Sequence, residues 1–228
     1  GIRRRGQIGR GAEALSVLAA GKNIVAADVV LVVADATDAP TQQDLHVAGL
    51  AIEEGRPFAV LLNKWDLLTA GERPPEMADP DQLVTRVRGR LKFAPHAPIL
   101  TLSALTGLHV SRVLPLVDAI HAQATRTLTT GRLNTWLRSA VTKHRAPAVR
   151  GKDLKFYYIA QKASNPPAFL LFTNQSHPPH FSYQRYLENS LRETFDLTLT
   201  PVILSYRERP RQKGGSKASR TTQAKRRV

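Results

Sequence analysis

Phe58-Ala-Val-Leu-Leu-Asn63-Lys64-Trp65-Asp66 sets five apolar residues directly against a polar quartet. A short continuous apolar run of this kind predicts a strand buried on both faces, and its polar end marks where the chain leaves the sheet. Asp28-Val-Val-Leu-Val-Val-Ala-Asp35 upstream and Pro98-Ile-Leu-Thr-Leu102 downstream repeat the pattern. Helical segments separate the three runs. Thr41-Gln-Gln-Asp44 has the spacing of a capping box, and Leu45, Ala48 and Ile52 follow at helical intervals before Gly55. Leu83, Val84, Val87 and Leu91 mark a second helix, and Val110, Val113, Leu114, Val117 and Ile120 a third. Alternating strands and helices predict an α/β fold with a doubly wound, mostly parallel sheet. Ligands of such a sheet sit at the carboxyl ends of its strands.

The pattern changes after Gly131. Leu133, Trp136, Leu137, Ala140 and Val141 form a helical stripe, and Lys155–Ala160 and Ala168–Thr173 read as strands joined by a loop containing Pro166-Pro167. Tyr183–Phe195 reads as a helix and Val202–Tyr206 as a last strand. The result is a small α+β unit of order α-β-β-α-β. Its first two strands are joined by too little chain for a crossover and are expected to pair antiparallel. Beyond Arg207 the chain is rich in Gly, Ser, Thr, Gln, Lys and Arg, with almost no apolar residues, so a disordered basic tail is expected. The predicted divisions are 1–130, 131–208 and 209–228.

Of 228 residues 42% are hydrophobic and none is Cys, so a core can be buried but disulfides, thiolate metal sites and cysteine nucleophiles are excluded. That composition suits a reduced, cytoplasmic setting, and no apolar run approaches the ~20 residues of a membrane span. The net charge of +15 is unevenly placed. Residues 1–130 hold 14 Lys/Arg against 13 Asp/Glu, residues 131–206 hold 10 against 4, and residues 207–228 hold 9 against 1. A near-neutral first part followed by a basic second part is the footprint of a phosphate-backbone partner.

The polar quartet Asn63-Lys64-Trp65-Asp66 matches the N-K-x-D guanine signature of GTP-binding proteins. A carboxylate at Asp66 can accept from both N1–H and the exocyclic amine of guanine, whereas adenine turns an acceptor toward it. Asn63 can tie neighbouring loops and reach the base edge, and the aliphatic stem of Lys64 can cover the ring. Ser103-Ala104-Leu105, directly after the next strand, matches the S-A-[KL] element of the same superfamily, in which the amide at the Ala position donates to guanine O6. Either motif alone is a polar strand-end turn; two on consecutive strand ends, in order, are a stronger signal. No G-x-x-x-x-G-K-[ST] phosphate loop occurs in the sequence. No catalytic residue and no metal ligand is assigned.

These stretches, with Gly1-Ile-Arg-Arg-Arg-Gly6, the segment F-S-Y-Q-R-Y-L-E-N-S-L-R-E-T-F from Phe181 and the closing Y-R-E-R-P from Tyr206, together resemble the C-terminal half of the Der (EngA) family of bacterial ribosome-assembly GTPases. The resemblance covers Gly1 to Pro210. It implies a partial P-loop-type GTPase domain, lacking its P-loop and switch I, followed by a KH-like domain. GTP/GDP with Mg²⁺ is the implied cofactor of the parent, whose Mg²⁺ ligands are absent from this sequence. The implied partners are the large ribosomal subunit with its rRNA and an N-terminal GTPase domain of the same protein. Gly1 and Ile2 correspond to a remnant of the γ-phosphate sensor, with Ile2 where Ras-type GTPases carry a water-positioning Gln. The implied function is GTP binding in ribosome biogenesis; a nucleotide-independent rRNA-binding or scaffold module is the alternative.

Arg145, Arg150, Lys152, Lys155, Arg209, Arg211 and Lys213 are the expected RNA contacts, although the G-x-x-G loop usual in KH domains is missing. Phe156, Tyr157, Tyr158, Phe169 and Phe172 alternate at strand spacing and are expected in the core of so small a unit, with base stacking the alternative. His177-Pro-Pro-His180 lacks the neighbouring ligands of a metal site.

Overall fold

The computed structural model describes residues 21–38, 40–69, 79–149 and 151–209. Gly1, Ile2, Arg150, Arg211, Lys213 and the predicted tail from 210 lie outside the described residues.

Three parallel strands, β1 (Val30–Asp35), β2 (Phe58–Asn63) and β3 (Ile99–Thr101), form a sheet in the order β1-β2-β3. Helix α1 (Gln42–Glu53) connects β1 to β2, while α2 (Asp66–Thr69) and α3 (Pro80–Arg90) lie between β2 and β3. The capping box forms as its spacing predicts. The Asp44 amide donates to Thr41 Oγ1 at 3.2 Å and the Thr41 amide donates to Asp44 Oδ2 at 2.8 Å. Such a cap is worth about 1 kcal/mol, and it fixes where the chain turns after β1. Helix α3 starts with Pro80, whose missing N–H costs nothing there, and buries Leu83 and Val87, with Leu91 just beyond its end.

Burial on both faces holds for β2 alone. Every residue of β2 but Asn63 is buried, whereas Val33 of β1 is 58% exposed, because no layer among the described residues covers that face of β1. The third predicted helix is also less buried than its stripe implies. Val110–Arg112 is a 3₁₀ turn leading into α4 (Val113–Ala124), and Ile120 is fully buried while Val110 and Leu114 are exposed. Helix α4 packs through its C-terminal end. There, among the described residues, a second layer of structure exists to receive it.

That second layer is the unit α5 (Thr130–Lys143), β4 (Phe156–Ala163), β5 (Ala168–Thr173), α6 (Phe181–Phe195) and β6 (Ile203–Glu208). The sheet order is β4-β5-β6, with β4 antiparallel and β6 parallel to β5, as the short first connection requires. Leu133, Trp136, Leu137, Ile159, Phe169, Leu171, Leu187, Leu191 and Phe195 form its core. The outer edge of β4 is closed by a side chain. Asn134 of α5 donates through Nδ2 to Ile159 O and accepts from Ile159 N–H through Oδ1, both at 3.0 Å, which protects an otherwise free strand edge.

The two units meet through several polar contacts. Arg126 donates to Phe195 O at 2.7 Å, the Leu199 amide donates to Gln123 Oε1 at 2.8 Å, and Asn165 donates to Asp28 Oδ1 at 2.8 Å. Gly55 has a φ of +66°, which favours glycine, and a Cβ there would lie 3.3 Å from Pro166 Cγ, a contact tight enough to push the proline back by a few tenths of an ångström.

His96 is held by the same region. Its ring meets Phe58 edge-on at 6.4 Å, and both ring nitrogens are buried without a hydrogen-bond partner. Burial, with the charges of Arg192 and Arg88, pushes its pKa down to about 3. The folded state therefore keeps the imidazole neutral while the unfolded chain takes up a proton below about 6.5. Stability is complete above that pH and falls progressively toward 3. At about 1.4 kcal/mol per unit, going from pH 7 to 5 removes about 2 kcal/mol. Thermal melts at the two pH values should differ by about 4–8 °C more for this chain than for His96→Leu, and matching profiles would contradict the assignment.

Candidate functional site

The parallel register aligns the carboxyl ends of all three strands of the first sheet. Asp35 lies opposite Asn63, and Leu62 opposite Thr101. Backbone bonds continue past the strands: Ala36 N–H donates to Asn63 O at 2.8 Å, and Trp65 N–H to Leu102 O at 3.1 Å. The loops 63–66 and 102–105 are thereby held against each other.

Within this edge the structure brings Asn63 and Ala104 together. Asn63 Oδ1 accepts from the Ala104 amide at 2.9 Å. Ser103 is fully buried; its Oγ accepts from the Thr106 amide at 3.1 Å, and its carbonyl accepts from the Gly107 amide at 3.0 Å. Ser103 thus builds a tight turn that presents Ala104 outward, while Leu105 is 89% exposed. Asp66 opens α2, and its Oδ1 is buried with no hydrogen-bond partner. Trp65 and Leu68 on either side are buried in the core and pin the segment. Leaving a buried carboxylate oxygen unpaired is costly, so such an atom marks a missing donor.

Lys64 adopts a left-handed φ of +63°, a strained backbone for a residue with a long side chain. Its ammonium lies 2.5 Å from Asp35 Oδ2. Asp35 also accepts from the Thr37 amide at 3.0 Å and the Thr37 hydroxyl at 2.7 Å. Partial burial alone would raise the Asp35 carboxyl. The hydrogen bonds from Lys64 and Thr37, with the Lys64 charge, outweigh that and hold it below the ordinary carboxylate range, while the same hydrogen bond raises Lys64. Asp35 and Thr37 were not legible as site residues from motif alone. The signal that finds them is register, since parallel pairing puts the end of β1 beside the residue before Lys64.

The chemistry of this edge fits a guanine base. It offers an unpaired buried acceptor for N1–H and the exocyclic amine at Asp66, whereas the Ala104 amide, the donor suited to a carbonyl oxygen, is held here by Asn63 Oδ1. The fit stops at the base. The sequence holds no phosphate loop, and among the described residues no cluster of three or more His, Asp or Glu could hold a metal ion.

Residues 19–125 match the family described as elongation factor Tu GTP binding domain, and residues 127–207 match the KH-domain-like family of EngA bacterial GTPase enzymes, C-terminal. GTPase Der of Syntrophotalea carbinolica is 43% identical over 209 residues, covering 92% of this chain and 46% of that protein. GTPase Der of Moorella thermoacetica is 42% identical over 207 residues, with 91% and 46% covered. The chain belongs to the Der (EngA) GTPase family. It spans about half the length of the curated relatives it matches. Within the Der family framework the first sheet is the GTP-binding-type unit and the second the KH-like unit, each an α/β layer around its own core.

Of the basic residues expected to face RNA, Arg145, Lys152, Lys155 and Arg209 are among the described residues and fall at one end of the KH-like sheet. Arg145 is exposed and reaches Asp153 Oδ2 at 3.2 Å, and Lys152 is exposed in the tight turn around Gly151. Lys155 N–H donates to Asn174 Oδ1 at 2.9 Å, and Arg209 N–H donates to Thr173 O at 2.9 Å, so Lys155 and Arg209 share that end. Among the described residues no helix is long and apolar enough to cross a membrane.

The aromatic expectation is corrected in part. Phe169 is buried and Phe156 packs on the core, but Tyr157 and Tyr158 are exposed and Phe172 is half-buried. A β-bulge between Phe156 and Tyr158 turns the two tyrosines outward by breaking the alternation of β4, while Phe172 faces out through the regular alternation of β5. His180 caps α6, its side chain accepting from the Ser182 amide.

Proposed function

We propose that this chain is the guanine-reading and RNA-facing part of a ribosome-assembly GTPase. Asn63, Lys64, Asp66, Ser103, Ala104 and Leu105 form the base site, and Arg145, Arg150, Lys152, Lys155, Arg209, Arg211 and Lys213 contact rRNA of the large subunit. The observation that carries the base site is the buried, partnerless Asp66 Oδ1 beside the paired Asn63 and Ala104. Guanine supplies the donors that this oxygen lacks, and adenine presents an acceptor there.

In this reading residues 1–130 and 131–208 act as two domains, followed by the basic tail 209–228. The setting is cytoplasmic, and the parent uses GTP or GDP with Mg²⁺ together with a further N-terminal GTPase domain. Gly1 and Ile2 stand where the γ-phosphate is sensed. The chain's own residues bind and orient the base and exclude adenine. Titration calorimetry with GDP and ADP tests this: GDP binds in preference to ADP, and equal binding or none contradicts it.

One observation favours a second reading. The Ala104 amide is already engaged by Asn63, and the sequence offers no phosphate loop to add affinity. On that basis the chain acts as a nucleotide-independent rRNA-binding scaffold, and the same titration separates the two.

A further inference from the structure

The KH-like sheet is covered on one face only. Ile159, Phe169, Leu171 and Thr173 are buried toward α5 and α6, so alternation turns Tyr158, Leu170 and Phe172 to the opposite face. At the end of that face remote from Gly55, the rings of Tyr158 and Phe172 stack across β4 and β5, with centroids 4.1 Å apart and planes 14° apart. Arg207 of β6 stands opposite Phe172 in register and continues the same row. The bulge after Phe156 adds an extra residue, Tyr157, which is 47% exposed and carries the Arg209 guanidinium 5.7 Å from its ring centre.

Two tyrosines at an edge strand, one stacked on a third ring and one under a guanidinium, are costly to expose without a purpose. Basic residues accompany the rings: Arg209 lies over Tyr157, Arg207 stands in register with Phe172, and Lys155 directly precedes Phe156. No carboxylate sits in the row: Glu208 alternates to the other face and Asp153 is joined to Arg145. A protein partner would match apolar area without this positive surround, and a nucleic-acid duplex would keep its bases out of reach of rings. Positive charge beside open π faces fits unpaired bases on a phosphate backbone.

We propose that Tyr158, Phe172 and Tyr157, with Arg207 and Arg209, form a stacking platform for the bases of single-stranded RNA. The platform rests on the RNA reading given above and adds to it a face, a strandedness and a mode of contact. It lies on the open side of the sheet, away from the helices, and reads no sequence because every base has a π face.

The test uses the full chain, a short labelled oligouridylate and a blunt RNA duplex, followed by fluorescence anisotropy across a salt titration. Tyr158→Ala weakens single-strand binding about 5- to 100-fold, the effect of losing one stacked base, and leaves the duplex and the salt slope unchanged. Tyr158→Phe keeps the ring and binds as the parent does. A combined Arg145→Gln, Lys152→Gln and Lys155→Gln variant weakens both probes and flattens the salt slope. Single-strand binding unaltered by Tyr158→Ala, with the charge variant still weakened, overturns the platform and leaves the RNA reading standing; this is also the result if a protein covers the face. Equal losses on both probes in Tyr158→Ala overturn stacking. No RNA binding by the unaltered chain overturns platform and RNA reading together.

Discussion

Asp66→Asn lowers guanine affinity about 10- to 100-fold and makes xanthine the preferred base. The carboxylate accepts two donors from guanine, and hydrogen bonds to a charged group contribute about 1.5–3 kcal/mol each. The amide loses the charge and turns a donor toward a base edge that in guanine also donates. Xanthine carries a carbonyl in place of the amine, so the same amide finds an acceptor. Because Asp66 Oδ1 has no partner within the protein, the substitution breaks no internal hydrogen bond of that oxygen, and fold stability should change little. Competition between GDP and xanthosine diphosphate reads the switch directly. A variant that keeps guanine over xanthine would remove Asp66 from the site.

The second large effect is an absence of turnover. Phosphoryl transfer depends on positioning and charge stabilisation at the γ-phosphate, normally from phosphate-loop amides, its Lys and a bound Mg²⁺. The sequence supplies none of the loop, and in the proposed site Asn63, Lys64, Asp66 and Ala104 would address only the base, remote from the bond that breaks. Binding energy spent equally on ground and transition states does not raise the chemical rate. Incubated with GTP and Mg²⁺, the purified chain should release phosphate at the rate of buffer. Turnover that disappears in Asp66→Ala would show that another part of the chain completes a phosphate site.

Local rules carried much of the fold. Thr41 and Asp44 form their capping box because both partners lie within one turn, where spacing alone decides. The antiparallel β4–β5 pair follows from a connection too short for any other arrangement. Readings that needed knowledge of neighbours fared less well. Val33 and Leu114 are apolar and well spaced, yet exposed, because periodicity cannot say whether a further layer covers a face. Tyr157 and Tyr158 escape the core because a bulge, invisible in the residue pattern, adds one residue to β4.

The site shows the same division. Asn63, Asp66 and Ala104 were legible as motif positions, and the backbone does place their loops together. The Asp35–Lys64 ion pair and the left-handed Lys64 were not, since both arise from parallel register across β1 and β2. That pair anchors the Lys64 ammonium at the carboxyl edge of the sheet.

In the proposed function this edge recognises guanine through Asp66 and Ala104. The backbone amide of Ala104, followed by ¹⁵N–¹H correlation while GDP or ADP is added, tests it most directly. GDP should move the Ala104 and Trp65 amides, ADP should not, and Asp66→Ala should abolish the GDP response. An Ala104 amide that stays put with GDP, or that moves equally with ADP, would contradict it.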